Sequence, residues 1–114
     1  MNGLITGRNE AVGAESLKQR VVSATATLTP EDRVVLVDCS ATFTLTLCPV
    51  SECPGALVYI KGFGTGGAVT VATPTGGMLA TPKFTVDDLT AATDYKLMLN
   101  VAGVEWVELA EVTT

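Results

Sequence analysis

Few residues in this chain could do chemistry. The candidates are three cysteines, Cys39, Cys48 and Cys53, and the carboxylates Asp87, Asp88 and Asp94. Histidine is absent, which removes Ser-His and Cys-His dyads and the usual zinc ligand sets. An odd cysteine count is not a disulfide framework. The plain expectation is three reduced thiols, two of them acting as small core residues. Cys48 and Cys53 could still bridge across their proline-flanked loop in oxidising conditions. Three thiolates alone make a poor zinc site. The three aspartates match no EF-hand spacing and read as a solvated loop. Asp87 and Asp88 are adjacent, so their side chains point apart and form no acid–base pair. The run Gly62-Phe63-Gly64-Thr65-Gly66-Gly67 has the glycine density of a phosphate-binding loop. It lacks the Lys-Ser/Thr ending, and a strand pattern follows it, so it reads as a hairpin connection. The expectation is a protein that is not an enzyme, with no catalytic residue, no cofactor and no metal.

Composition narrows the partners. A chain of 114 residues is one domain. Its net charge is −5, and nucleic-acid binders need a basic stripe, so no nucleic-acid partner is expected. No apolar run approaches the roughly 20 residues of a membrane span, so no membrane partner is expected either. Met1 to Thr6 carries no apolar leader core, which predicts folding in the cytoplasm of the producing cell. Charge is uneven along the chain. Residues 1–20 hold Arg8, Lys18 and Arg20 against Glu10 and Glu15, whereas residues 21–114 hold ten acids against Arg33, Lys61, Lys83 and Lys96.

The elements that must position any site are strands. Phe43, Leu45 and Leu47 alternate with Thr42, Thr44 and Thr46, a period of two with one apolar and one hydroxylated face. Val34, Val35, Leu36 and Val37 are continuous and apolar, which predicts a strand buried on both faces. One core cannot cover both faces of a domain this small, so these four residues are the expected subunit interface. Val21–Leu28 reads as a first strand ended by Thr29-Pro30-Glu31-Asp32. Ala56–Lys61 and Ala68–Thr73 follow. Tyr95, Leu97, Leu99 and Val101 share the apolar face of another strand, and Ala102-Gly103 turns it into Val104–Leu109. Phe43, Leu45, Leu47, Tyr95 and Trp106 are the expected core anchors; the sharper alternative for Trp106 is a sugar-stacking platform. About eight short strands predict an all-β domain, an antiparallel β-sandwich or jelly-roll-like barrel over residues 21–114. No repeat of 20–50 residues is visible, which disfavours a solenoid. Residues 1–20 are an extended N-terminal arm that either frays or orders on a partner.

Three stretches carry a likeness: Thr27-Leu28-Thr29-Pro30-Glu31-Asp32-Arg33-Val34-Val35-Leu36-Val37-Asp38, Thr44-Leu45-Thr46-Leu47-Cys48-Pro49, and Pro54-Gly55-Ala56-Leu57-Val58-Tyr59-Ile60-Lys61. With a closing hairpin that holds Gly103 and Trp106, they resemble a β-module of tailed-bacteriophage virion proteins. Tail fibres, head fibres and capsid decoration proteins are among those. The chain departs from that pattern at Val50-Ser51-Glu52-Cys53 and from Gly76 to Asp88. The resemblance implies a structural virion protein and a homotrimer. The size, one arm and one module, favours a capsid decoration (cement) protein on the outer surface of the head, bound to the major capsid protein and assembled in the host cytoplasm. On that reading Leu4, Ile5 and Leu17 bury against the capsid, while Arg8, Lys18 and Arg20 meet acceptor groups there. The alternative is a fibre-type host-recognition or carbohydrate-binding module using Trp106, Tyr95 or loop residues.

Overall fold

Alternating β-branched and apolar residues form the strands, as a half-buried pleated surface favours. A computed structural model describes residues 19–74 and 88–113. Its strands are β1 (Gln19–Val22), β2 (Ala26–Thr27), β3 (Val34–Asp38), β4 (Phe43–Thr46), β5 (Leu57–Phe63), β6 (Val69–Ala72), β7 (Tyr95–Val101) and β8 (Glu105–Val112). Among the described residues the domain is all-β apart from a 3-10 turn at Val50–Glu52. A five-stranded sheet has the order β1-β3-β5-β7-β8, and a three-stranded sheet the order β2-β4-β6.

The pairing corrects the antiparallel expectation. β1, β3 and β5 run parallel, and so do β2, β4 and β6. Among the described residues, β5–β7 and β7–β8 are antiparallel, as is the isolated bridge between Val69 and Leu89. The chain alternates between the sheets from β1 to β6, so each parallel neighbour is reached by crossing to the other layer and back. That winding is solenoid-like, contrary to the sequence reading. Its turns differ in length, Gln19 pairing with Val34 and Val34 with Tyr59, so no fixed period marks them.

The expected single strand Val21–Leu28 is in fact two. β1 and β2 lie in different sheets, and Gln19 and Arg20 belong to β1 rather than to an arm. Asp32 organises the turn that follows. Its Oδ2 accepts hydrogen bonds from Thr29 N at 2.7 Å and Arg20 Nη1 at 2.8 Å. Asp38 shapes the β3–β4 turn by accepting from Ser40 N and Oγ, and these bonds hold its carboxyl below the usual carboxylate range. Gly67 is required by close approach: a Cβ there would lie 2.3 Å from the Ala41 carbonyl oxygen.

Both sheets contribute to one hydrophobic cluster. Val35, Val37, Val58, Ile60, Met98 and Trp106 come from the large sheet, and Phe43, Leu45, Val69 and Val71 from the small one. Cys39, Cys48 and Cys53 are buried free thiols in this cluster. Burial pushes the Cys48 thiol up to about 12, aided by the neighbouring Cys53 thiol, and burial also raises Cys39. A thiol whose folded pKa is raised contributes stability that is complete below its unfolded value. That stability is lost as pH climbs through the folded value. For Cys48 the window runs from about pH 8.5, the value of a free cysteine, to about 12. We expect the unfolding free energy measured by urea titration to fall across that window, with a slope approaching about 1.4 kcal/mol per pH unit. A thiol-specific chromogenic reagent should find no reactive group in native protein at pH 7.5, and three per chain after denaturation without reductant.

Candidate functional site

The sequence pattern puts one face of each strand of the large sheet inward and the other outward, and the two faces are unusual. On β3, Val35 and Val37 are fully buried, whereas Val34 and Leu36 face outward and are half-buried. The four-residue interface expectation is therefore corrected for Val35 and Val37. They pack in the chain's own core, and only the other two are available to a second layer.

β7 inverts its expected orientation. Lys96, Met98 and Asn100 point inward, with exposures of 0, 0 and 1 %. Tyr95, Leu97 and Leu99 point outward and are half-buried, so Tyr95 is not a core anchor. Partners explain the inversion. Lys96 Nζ lies 3.1 Å from both Glu108 Oε1 and Glu111 Oε1. Asn100 Nδ2 donates to the Val50 carbonyl at 3.0 Å, and its Oδ1 accepts from Gly103 N at 2.9 Å. Polar groups can be buried when their hydrogen bonds are met. The outward face is left apolar.

Strand register assembles that face. One row runs Val34, Tyr59, Leu97, Ala110; the next runs Leu36, Lys61, Tyr95, Val112; Leu57, Leu99 and Val107 form a third. Cross-strand neighbours of this kind pack against one another. The Tyr59 and Tyr95 rings meet at 5.8 Å between centroids, tilted by 43°. A groove of about 350 Å³ opens on the face, lined by Arg33, Val34, Leu57, Tyr59 and Leu97. Val21, Leu57 and Leu109 are 63, 45 and 52 % exposed.

The other candidate residues fall elsewhere. Phe43, Leu45 and Leu47 are buried. Trp106 is fully buried, and its Nε1 donates to the Cys48 carbonyl at 2.9 Å, which withdraws it from any sugar platform. Arg20 is paired with Asp32 and the Thr27 carbonyl, and its side chain remains 38 % exposed. Leu4, Ile5, Arg8, Leu17 and Lys18 lie outside the described residues, as does Asp87. The acidic group does not form a solvated patch. Asp94 is fully buried, and its carboxylate accepts from Thr90 N and Ala91 N, while Asp88 accepts from the Thr70 hydroxyl.

The sequence reading missed Arg33 and Glu105. Arg33 borders the groove and donates to the Pro30 and Asp32 carbonyls. Glu105 begins β8 opposite Val101, and its buried Oε2 has no hydrogen-bond partner. Arg33 follows a polar turn and Glu105 stands at a strand start between Val104 and Trp106, positions where a single charge looks like any solvated residue in a sequence. No protein-family model, no curated protein and no solved structure matches the chain.

Proposed function

We propose that the chain is a self-assembling structural protein of a bacteriophage virion: a capsid decoration protein, bound as a homotrimer to the outer surface of the head. The observation that carries this reading is the outward face of the large sheet. Its strand β7 turns Tyr95, Leu97 and Leu99 away from the core, while Lys96 and Asn100 go inside. A domain built that way is completed by other subunits. The virion setting and the number three rest on the sequence resemblance. In this reading the two sheets are the layers of a β-sandwich module, and residues 1–18 are the attachment arm. Leu4, Ile5 and Leu17 supply apolar contacts to the capsid protein, and Arg8 and Lys18 supply charge. Three arms on one assembly gain avidity, because each further arm binds intramolecularly once the first is placed.

Two measurements test this. Purified protein added to heads that lack it should bind to saturation at a fixed stoichiometry, and sedimentation equilibrium should give three times the chain mass. Removing residues 1–18 leaves β1 whole, so the truncated protein should keep its mass and melting curve while losing attachment. Full decoration by the truncated protein would move attachment to the β-body. Dissociation of the trimer would make the arm a clasp between subunits.

A fibre-type host-recognition or carbohydrate-binding module is the second reading. The Tyr59–Tyr95 pair on the outward face favours it, since paired aromatic rings can stack on sugars. Glycan-array binding that disappears on Tyr59→Ala, in a protein that sediments as a monomer, would select it.

A further inference from the structure

Two of the three thiols meet at one turn. Cys48 follows β4, and Cys53 ends the 3-10 turn Val50–Glu52 on the way to β5. Pro49 opens the turn, and the Cys53 N–H closes it on the Val50 carbonyl at 3.4 Å. The turn folds both cysteines back onto one acceptor. Cys48 Sγ lies 3.6 Å from the Pro49 carbonyl oxygen, and Cys53 Sγ lies 3.4 Å from the same atom. The two thiols also hydrogen-bond each other. Both are buried, yet the turn itself is at the surface, with Ser51, Glu52, Pro54 and Gly55 exposed.

The same turn seats the closing hairpin. Trp106 Nε1 donates to the Cys48 carbonyl, and Asn100 Nδ2 donates to the Val50 carbonyl. Asn100 Nδ2 also lies 3.4 Å from Cys53 Sγ, and the Asn100 carbonyl accepts from Gly55 N. A covalent link between residues 48 and 53 would therefore also hold the seat of β7 and β8. Cys39 stands apart. It precedes β4 rather than following it, and its Sγ donates to the Val37 carbonyl.

We propose that Cys48 and Cys53 are a latent disulfide, reduced in the cell and closed by a low-molecular-weight disulfide when the chain meets oxidising surroundings. The closure is two thiol–disulfide exchanges. One cysteine thiolate attacks the oxidant, which forms a mixed disulfide and releases one reduced thiol. The second cysteine thiolate attacks the chain's own sulfur in that mixed disulfide and expels the other. The oxidant gains the two electrons and two protons that the pair gives up. Burial keeps the pair from the oxidant in the closed fold, so exchange proceeds while the chain folds or when the turn opens locally. The closed loop is short, which makes the added stability modest. This inference rests on the proposed function for its setting alone: a virion leaves the reducing cytoplasm for surroundings where disulfides persist.

The test unfolds the full chain in urea and refolds it with oxidised glutathione, with reduced glutathione as the control. Circular dichroism verifies the fold. The control should titrate three thiols per chain after denaturation. The oxidised product should titrate one, weigh less by two hydrogens and yield a peptide linking Cys48 to Cys53. It should melt at least about 5 °C above the control, and added reductant should reverse the gain. Cys53→Ala should form no intrachain bridge. Three thiols in the folded oxidised product, glutathione retained on it, or a bridge through Cys39 would each overturn the proposal. So would an oxidised product that does not regain the native spectrum. A Cys48–Cys53 bridge that leaves the midpoint unchanged would keep the site and refute its stabilising role. None of these results bears on head binding or on the trimer, and failure of either leaves the thiol counts as they are.

Discussion

Replacing Trp106 by alanine should lower stability by about 3–5 kcal/mol, the range for deleting a fully buried aromatic side chain. Trp106 is among the largest fully buried side chains in the described residues. Two losses combine. The ring leaves a void in a cluster shared by both sheets, and the Cys48 carbonyl loses its indole donor. Trp106→Phe separates them. It keeps most of the packing and removes the hydrogen bond, so it should cost about 1–3 kcal/mol. In a domain of this size, each kcal/mol moves the melting midpoint by several degrees. The alanine variant should therefore melt at least about 10 °C lower, followed by circular dichroism because the only tryptophan is gone. In the wild type, the same tryptophan should fluoresce with the blue-shifted emission of a dry site. An unchanged midpoint would put the ring at the surface and return it to the sugar-binding reading.

Trp106 was legible in the sequence because a lone large aromatic in a strand has few other uses. β4 was legible for a related reason: Phe43-Thr44-Leu45-Thr46 has one apolar face, and the structure buries that face. Strand direction was not legible. Alternation tells which residues share a face and says nothing about whether the neighbour runs parallel or antiparallel. The parallel winding of β1 to β6 depends on crossings of unequal length, which leave no period to detect. The turn residues Thr29-Pro30 and Asp38-Cys39-Ser40 signal only that the chain turns. Whether it turns back beside its neighbour or across to another sheet is decided by tertiary packing.

The candidate face was half legible. The unbroken run Val34-Val35-Leu36-Val37 signalled a strand needing cover on two sides, and the structure divides it into a core pair and an outward pair. The contribution of β7 was read upside down. Apolar residues are expected inside, so the sequence pattern alone turns Tyr95, Leu97 and Leu99 inward. What reverses them is the set of partners that make Lys96 and Asn100 stable inside. Those partners sit on β8 and around Val50, and their alignment depends on a register shift between Leu97 and Met98. That information exists only after the hairpin has formed. Arg33 and Glu105 are remote in sequence, and only the strand order sets β5 and β7 between the strands they begin.

The second large effect is expected at Lys96. Its ammonium is fully buried between Glu108 and Glu111, whose side chains retain 9 and 23 % exposure. Lys96→Met keeps the length and apolar stem but removes the charge, leaving two carboxylates facing inward. Breaking a buried ion pair from one side typically costs about 3–5 kcal/mol. The exposure of Glu111 places the expected loss near the lower end. Removing all three charges together should behave differently. Lys96→Met/Glu108→Leu/Glu111→Leu relieves the desolvation of every partner, and replacing a buried charge cluster by apolar residues is often neutral or stabilising. The triple variant should therefore recover most of what the single variant loses, measured as the urea midpoint at neutral pH. A single variant as stable as the wild type would mean that Lys96 does not hold the two carboxylates. If the triple variant regains stability but loses self-association, the cluster's role is orientation. With Lys96 facing in, Tyr95, Leu97 and Leu99 must face out. An apolar residue at position 96 removes that preference and lets the strand turn its other face to the core.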